Sequence, residues 1–135
     1  MPQEYSLGII LVNRNNFLLL RRFPGHWSFL KASLLETDDK IELSRRTVLE
    51  ETGIKTLIQV KNFQENEEYF FKKQGQVVHK DVVFLIFETN EEQVTLSNNH
   101  LGYVWIDYDR AMSRITFKPE KEILKKAYEH LKYNK

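Results

Sequence analysis

Ala32-Ser33-Leu34-Leu35-Glu36-Thr37-Asp38-Asp39-Lys40-Ile41-Glu42-Leu43-Ser44-Arg45-Arg46-Thr47-Val48-Leu49-Glu50-Glu51-Thr52-Gly53-Ile54 is a loop that runs into a helix. Asp39 with Glu42 three residues on has the form of a helix start, the first side chain capping free N–H groups. Gly53 fits the stop, because glycine takes the left-handed conformation just past a last turn. At about 100° per residue, Ile41, Val48, Leu49 and Thr52 gather on one side. Thr47, Glu50 and Glu51 gather on the other, with Leu43 one turn earlier. Arg46 stands one turn before Glu50 and is expected to pair with it. Taken alone, Glu50 and Glu51 also fit an ordinary solvated face. Adjacent carboxylates repel unless a cation sits between them, and a hard ion such as Mg²⁺ suits oxygen donors and bridges to phosphates.

Outward from this helix the chain alternates strands and helices. Tyr5 to Val12 and Phe17 to Arg22 are β-rich runs joined by a turn signal, Asn13-Arg14-Asn15-Asn16. Phe23-Pro24-Gly25-His26 breaks the second run, and Trp27 to Leu30 is a short apolar return. Beyond Gly53, strands are expected over Thr56 to Val60, Glu67 to Lys72, Val77 to Glu88 and Tyr103 to Ile106. Lys73 to Gln76 makes a hairpin turn. A short helix is expected over Asp109 to Arg114 and a closing helix over Pro119 to Leu131, with apolar residues along one side of the latter. The order predicts an α+β layered domain, with residues 1–135 as one unit.

Composition narrows the functional classes. Hydrophobic residues at 41% and aromatics at 13% suit a globular chain. The apolar runs are too short for a membrane span, and the first residues lack the form of a secretory signal. Zero cysteines exclude disulfides and thiolate chemistry and fit a cytoplasmic home. A net charge of +1 argues against an extended nucleic-acid surface. The basic cluster from Lys118 to Lys135 is interrupted by Glu120, Glu122 and Glu129, as on a solvated helix face. No glycine-rich phosphate loop, zinc spacing or Ser-His-Asp arrangement is apparent.

The register from Ala32 through Asp38 to Arg46, Val48, Glu50, Glu51, Gly53 and Ile54 resembles the Nudix box. That box is a glycine, five residues, a glutamate, seven residues, then Arg-Glu-apolar-x-Glu-Glu-x-Gly-apolar. The spacing is kept from end to end. Ala32 stands for the glycine, Asp38 for the first glutamate and Thr47 for the helix's first glutamate. The layout is similar to that of asymmetric dinucleoside (diadenosine) tetraphosphate hydrolases of the family. His26-Trp27, Lys31, His79-Lys80-Asp81-Val82-Val83, Leu96 to His100, Tyr103-Val104-Trp105 and Phe117-Lys118 carry this second likeness.

The resemblance implies an α/β/α layered Nudix fold, a mixed curved sheet flanked by the box helix and a C-terminal helix. It implies a hydrolase that cleaves a nucleoside-linked polyphosphate, a dinucleoside tetraphosphate first, by metal-assisted attack of water on phosphorus. Glu50, Glu51 and the backbone carbonyl of Ala32 would hold Mg²⁺ or Mn²⁺, and Arg46 would orient the carboxylates. Lys31 and Lys80 would meet phosphate, with Trp27, Tyr69 and Tyr103 around the nucleoside. These aromatics equally suit a core, and the two lysines equally suit plain surface charge.

Thr47 is the serious departure. A neutral hydroxyl replaces a principal metal ligand, so metal should bind weakly and activity should fall. Alanine at 32 costs something if that backbone needs a positive φ. Glu65, Glu67, Glu68, Asp81, Glu91 and Glu92 are the available sources of a further acidic ligand. His79 and His100 could carry protons. Two readings stay open. One is an enzyme, monomeric or homodimeric. The other is an impaired Nudix-fold module that binds a nucleotide, an RNA 5′ end or a protein.

Overall fold

The computed structural model describes residues 2–133. Lys135 of the basic cluster and the outermost residues of the expected domain lie outside that range. The elements are β1 (Gln3–Asn13), β2 (Asn16–Arg22), β3 (His26–Ser28), β4 (Leu30–Ser33), α1 (Lys40–Thr52), β5 (Ile58–Gln59), β6 (Glu65–Lys73), β7 (Gln76–Glu88), β8 (Gly102–Ile106), α2 (Tyr108–Arg114) and α3 (Lys118–Tyr133).

The helix boundaries follow local chemistry. Asp39 is extended and accepts hydrogen bonds from the N–H groups of Ile41 (2.9 Å) and Glu42 (3.0 Å), so it caps α1 as its position implies. Gly53 sits at φ 76° and donates its N–H to the Leu49 carbonyl at 3.0 Å. Two of the hairpin turns use left-handed residues at both central positions: Arg14 and Asn15 between β1 and β2, Gln74 and Gly75 between β6 and β7.

The sheet is mixed. β1 and β7 run parallel along Gln3–Val12 and His79–Glu88. β4 and β2 take β1's other edge in turn, and β6 and β5 take the far edge of β7, all antiparallel. β8 and β3 add to β2. The run expected to return once after Gly25 is therefore two strands with different partners. β3 pairs with β2, and β4 crosses to β1. The strand expected over Thr56 to Val60 shrinks to Ile58–Gln59, because Glu91 holds the backbone N–H groups of Lys55 and Thr56 in a loop.

Two apolar layers bury the sheet, giving an α/β/α stack. One face presents Leu7, Ile9, Leu11, Leu18, Leu20, Val83, Leu85 and Phe87 to Leu43, Val48 and Ile54 of α1 and its exit. The other presents Ile10, Leu19, Phe29, Val82, Phe84 and Ile86 to Ala111 of α2 and to Ile123, Leu124, Ala127 and Leu131 of α3. Gly8 is required by this second face: a β-carbon there would lie 2.3 Å from the Phe84 ring. No helix of the described residues is long and apolar enough to cross a membrane.

Candidate active site

Helix α1 buries Leu43, Ser44, Thr47, Val48 and Thr52. The expected apolar side is corrected here: Leu43, placed with the acidic side, is buried, and Leu49, placed with Val48, is 49% exposed. Leu43 packs with Val48 against the sheet, and Leu49 is turned to solvent. The segment joining β7 to β8 lies over the end of α1, where Thr95 N–H donates to the Thr52 carbonyl (2.8 Å) and Ser97 N–H to that of Glu51 (3.2 Å). It covers Glu51.

Among the box positions, Thr47 is 7% exposed and Glu50 is exposed. Glu51 is half-buried, and its two oxygens accept from Asn99 Nδ2 at 2.8 and 3.2 Å. Burial alone would raise its pKa. Hydrogen bonds from Asn99 and Ser97, with the charges of protonated His100 and of Arg22, outweigh that, so the carboxyl is held below its usual range and is ionised at neutral pH. His100 Nδ1 lies 3.9 Å from Glu51 Oε1. Burial, opposed by Glu51 and assisted by Arg22, lowers the histidine's pKa and favours neutral imidazole.

The expected Arg46–Glu50 pair does not form among the described ion pairs. Both side chains are exposed, and arginine one turn before glutamate is the weaker order along a helix. Asp38 closes the loop ahead of α1, its Oδ2 accepting from Leu35 N–H at 2.8 Å. Ala32 is extended in β4 opposite Leu7, outside the positive-φ residues of the chain, so the strain considered for it does not arise. Leu34 N–H bonds the Tyr5 carbonyl. By the two-residue alternation of an antiparallel ladder, that turns the Ala32 carbonyl toward Leu7.

The lysines lie on the opposite face of the sheet. Gly8 sets Lys31 beside Phe84, and Lys80 stands across from Tyr69. Lys31 Nζ is 2.9 Å from Oε1 of Glu120, which is itself 2% exposed and also accepts from Phe29 N–H at 2.9 Å. Burial first, then the neighbouring Lys31 charge, lowers the pKa of Lys80. Burial and Glu120, against Lys31 and Lys80, raise that of Glu67, whose Oε2 is buried without a hydrogen-bond partner. Tyr69 and Trp27 pack on the α3-side core. Arg114 lies 5.1 Å over the Trp27 ring. Tyr103, opposite Leu20 on β8, is 40% exposed on the α1 face.

The candidate residues thus form two groups separated by the sheet: Glu50, Glu51, Thr47 and Tyr103 on one face, and Lys31, Lys80, Tyr69 and Trp27 on the other. Arg22, at the end of β2, exerts its charge on both, on Glu51 and His100 as well as on Tyr69 and Lys80. Arg22 and Glu120 carry no motif of their own and emerge only from contacts, while Asn99 lies in the Leu96 to His100 stretch but is not singled out there.

The six candidate acids have other engagements or other neighbours. Glu91 holds Lys55 and Thr56, Glu92 faces Arg14, and Glu65 pairs with Lys126. Glu67 adjoins Glu120, while Glu68 and Asp81 converge with His79. Among the described residues that trio is the one set of three such donors within 4.8 Å, and it excludes Glu50 and Glu51. A cleft of ≈ 1040 Å³ lies elsewhere, among Val12, Phe17, Tyr108, Tyr128 and Leu131.

Comparison with known proteins agrees with this architecture. The chain is 28% identical over 121 residues to a rat (Rattus norvegicus) bis(5′-nucleosyl)-tetraphosphatase [asymmetrical], covering 85% of this chain and 80% of that one. A C. elegans Ap4A hydrolase binary complex superposes with a TM-score of 0.76 at 22% identity, covering 97% of this chain and 98% of that one. An E. coli dihydroneopterin triphosphate pyrophosphohydrolase superposes at 0.73 with 18% identity, covering 93% and 97%. The model of the NUDIX domain matches residues 2–131, and this chain belongs to that family.

Proposed function

We propose that the protein is a pyrophosphohydrolase of nucleoside-linked polyphosphates, a dinucleoside tetraphosphate being the first substrate to test, and that the chain acts as one domain. The observation that carries this reading is the ionised Glu51 beside the free Glu50 at the end of α1. The substrate class is supported by the rat relative, whose likeness extends over 85% of this chain.

The donor set fits a weakly held hard dication. Glu50 offers an unengaged carboxylate, and Glu51 offers an anionic one already bound by Asn99. Thr47 adds a neutral hydroxyl, a poor ligand beside carboxylate. Mg²⁺ or Mn²⁺, when bound, would polarise a phosphoryl oxygen and make a bound water more acidic. Asn99 and Ser97 fix the Glu51 rotamer and keep it ionised. Arg22 acts by its charge on residues of both groups. Lys80, half-buried and lowered in pKa, lies on the opposite face of the sheet from Glu50 and Glu51, and Lys31 is first committed to Glu120.

A second reading, a binding module with impaired turnover, is favoured by Thr47, which is 7% exposed where a carboxylate would serve as ligand. A hydrolysis assay with Mg²⁺ and with Mn²⁺ across a dinucleoside polyphosphate panel separates the two. The enzyme reading expects slow turnover that Glu51→Gln abolishes. Inertness with both metals, with calorimetric nucleotide binding retained, selects the binding module.

A further inference from the structure

The outer part of the α1 face of the sheet carries a cluster that the proposed activity does not use. Glu68 and Asp81 are register partners on β6 and β7, and His79 stands two residues before Asp81 on the same side. One donor atom from each lies within 4.8 Å of the others. The Phe70 ring lies against His79 with centroids 4.8 Å apart.

Gln3 of β1 settles the histidine tautomer. Its Nε2 donates to Asp81 Oδ2 (3.1 Å) and to the Glu4 carbonyl (3.4 Å), both of which only accept. The amide nitrogen is thereby assigned, and the remaining Oε1 faces His79 Nδ1 as an acceptor. Nδ1 therefore carries the hydrogen, and Nε2 points its remaining valence toward Glu68 Oε1, 3.7 Å away. That gap is too long for a hydrogen bond. It suits a cation between nitrogen and carboxylate. One glutamine side chain thus orients two of the three donors, the outer-shell arrangement that metal-bound histidines use.

We propose that Glu68, His79 and Asp81 form a site for a first-row transition dication of the Zn²⁺ type, separate from the carboxylates of α1. One imidazole and two carboxylates neutralise a dication and favour such a metal over Mg²⁺, which keeps oxygen ligands and water. Three protein donors leave the remaining coordination to water. The ion would clamp the β6–β7 hairpin, whose other face bears Tyr69 and Lys80, and through Gln3 tie it to the start of β1.

The test is calorimetric titration of Zn²⁺ alone, and separately of Mg²⁺ alone, into the chelator-treated full chain. Glu68→Gln, His79→Gln, Gln3→Ala and a Glu50→Gln/Glu51→Gln double variant are run beside it. The native chain is expected to bind one Zn²⁺ with an affinity that the α1 double variant leaves within about twofold. Glu68→Gln and His79→Gln should each weaken it more than tenfold, and Gln3→Ala about tenfold or more. Glu68 is exposed, so its variant keeps the test valid if His79→Gln fails to fold. A ¹⁵N spectrum should show Zn²⁺ perturbing His79 Nε2 and not Nδ1. No Zn²⁺ binding by the native chain, binding indifferent to Glu68→Gln, or binding lost in the α1 double variant instead would each overturn the proposal. Failure of phosphate hydrolysis would leave it untouched, since neither result depends on the other.

Discussion

Asn99 Nδ2 bridges both carboxylate oxygens of Glu51, at 2.8 and 3.2 Å, across 48 residues of sequence. The contact ties the β7–β8 segment to the last turn of the box helix and keeps a partly desolvated carboxylate charged. Asn99→Ala should therefore raise the Glu51 pKa and move the acid limb of hydrolysis to higher pH, read from kcat/KM against pH. Because the folded-state pKa is depressed, the contribution to stability is present above the ordinary carboxylate value and is lost as pH falls through the folded value. The variant should cost about 1 kcal/mol at neutral pH, with the difference from native shrinking as pH falls below the ordinary carboxylate range in urea titrations.

Thr47→Glu restores a third carboxylate one helical turn before Glu50 and Glu51. At 7% exposure this site offers little water. The metal-free variant should lose roughly 1–3 kcal/mol, the cost of desolvating an imperfectly paired polar group, and recover much of it in Mg²⁺. Turnover should rise by about tenfold or more, equivalent to ~1.4 kcal/mol of barrier. Thermal melts with chelator and with Mg²⁺, beside the hydrolysis assay, check both parts. A variant that is equally stable with and without Mg²⁺ and no faster than native would show that Thr47 is not facing metal.

Glu120 is buried against Lys31 and Phe29 N–H. Glu120→Ala leaves a partly buried ammonium and a buried backbone donor without a partner, and should destabilise the fold by about 2–4 kcal/mol. Glu120→Gln keeps an acceptor for Phe29 and should cost less. Guanidinium unfolding of the two variants and of Lys31→Met measures this. Equal losses for Ala and Gln would assign the effect to charge alone.

Glu67 has the opposite electrostatic sign from Glu51. Burial and the charge of Glu120 raise its pKa despite Lys31 and Lys80. A carboxyl raised in the folded state supplies stability below its unfolded value and loses it as pH rises through the folded value. Glu67→Gln, which never ionises, should therefore be more stable than native at about pH 8, and the advantage should close toward about pH 4. Chemical unfolding at several pH values reads it directly.

Much of the architecture was legible because its signals are short-range. Asp39 and Gly53 bound α1 through their own cap geometry, and the Asn13–Asn16 turn pairs its flanking strands as expected. The surroundings of α1 were less legible: Leu43 packs on the sheet with Val48 and Ile54, Leu49 is exposed, and Glu51 is covered by the segment that carries Ser97 and Asn99. Helical periodicity records which residues share a side, and carries nothing about a covering segment more than forty residues away.

The sequence by itself determined the family register, the element order and the presence of Glu50, Glu51, Lys31 and Lys80. Those depend on spacing along one chain segment at a time. Only the tertiary structure decided that the sheet parts the lysines from the box carboxylates, that Glu120 claims Lys31 across 89 positions, and that Gln3 reaches His79 across 76. The reason is physical. Side-chain charge and hydrogen bonding act over a few ångströms of space, and strand crossing sets that distance independently of separation along the chain.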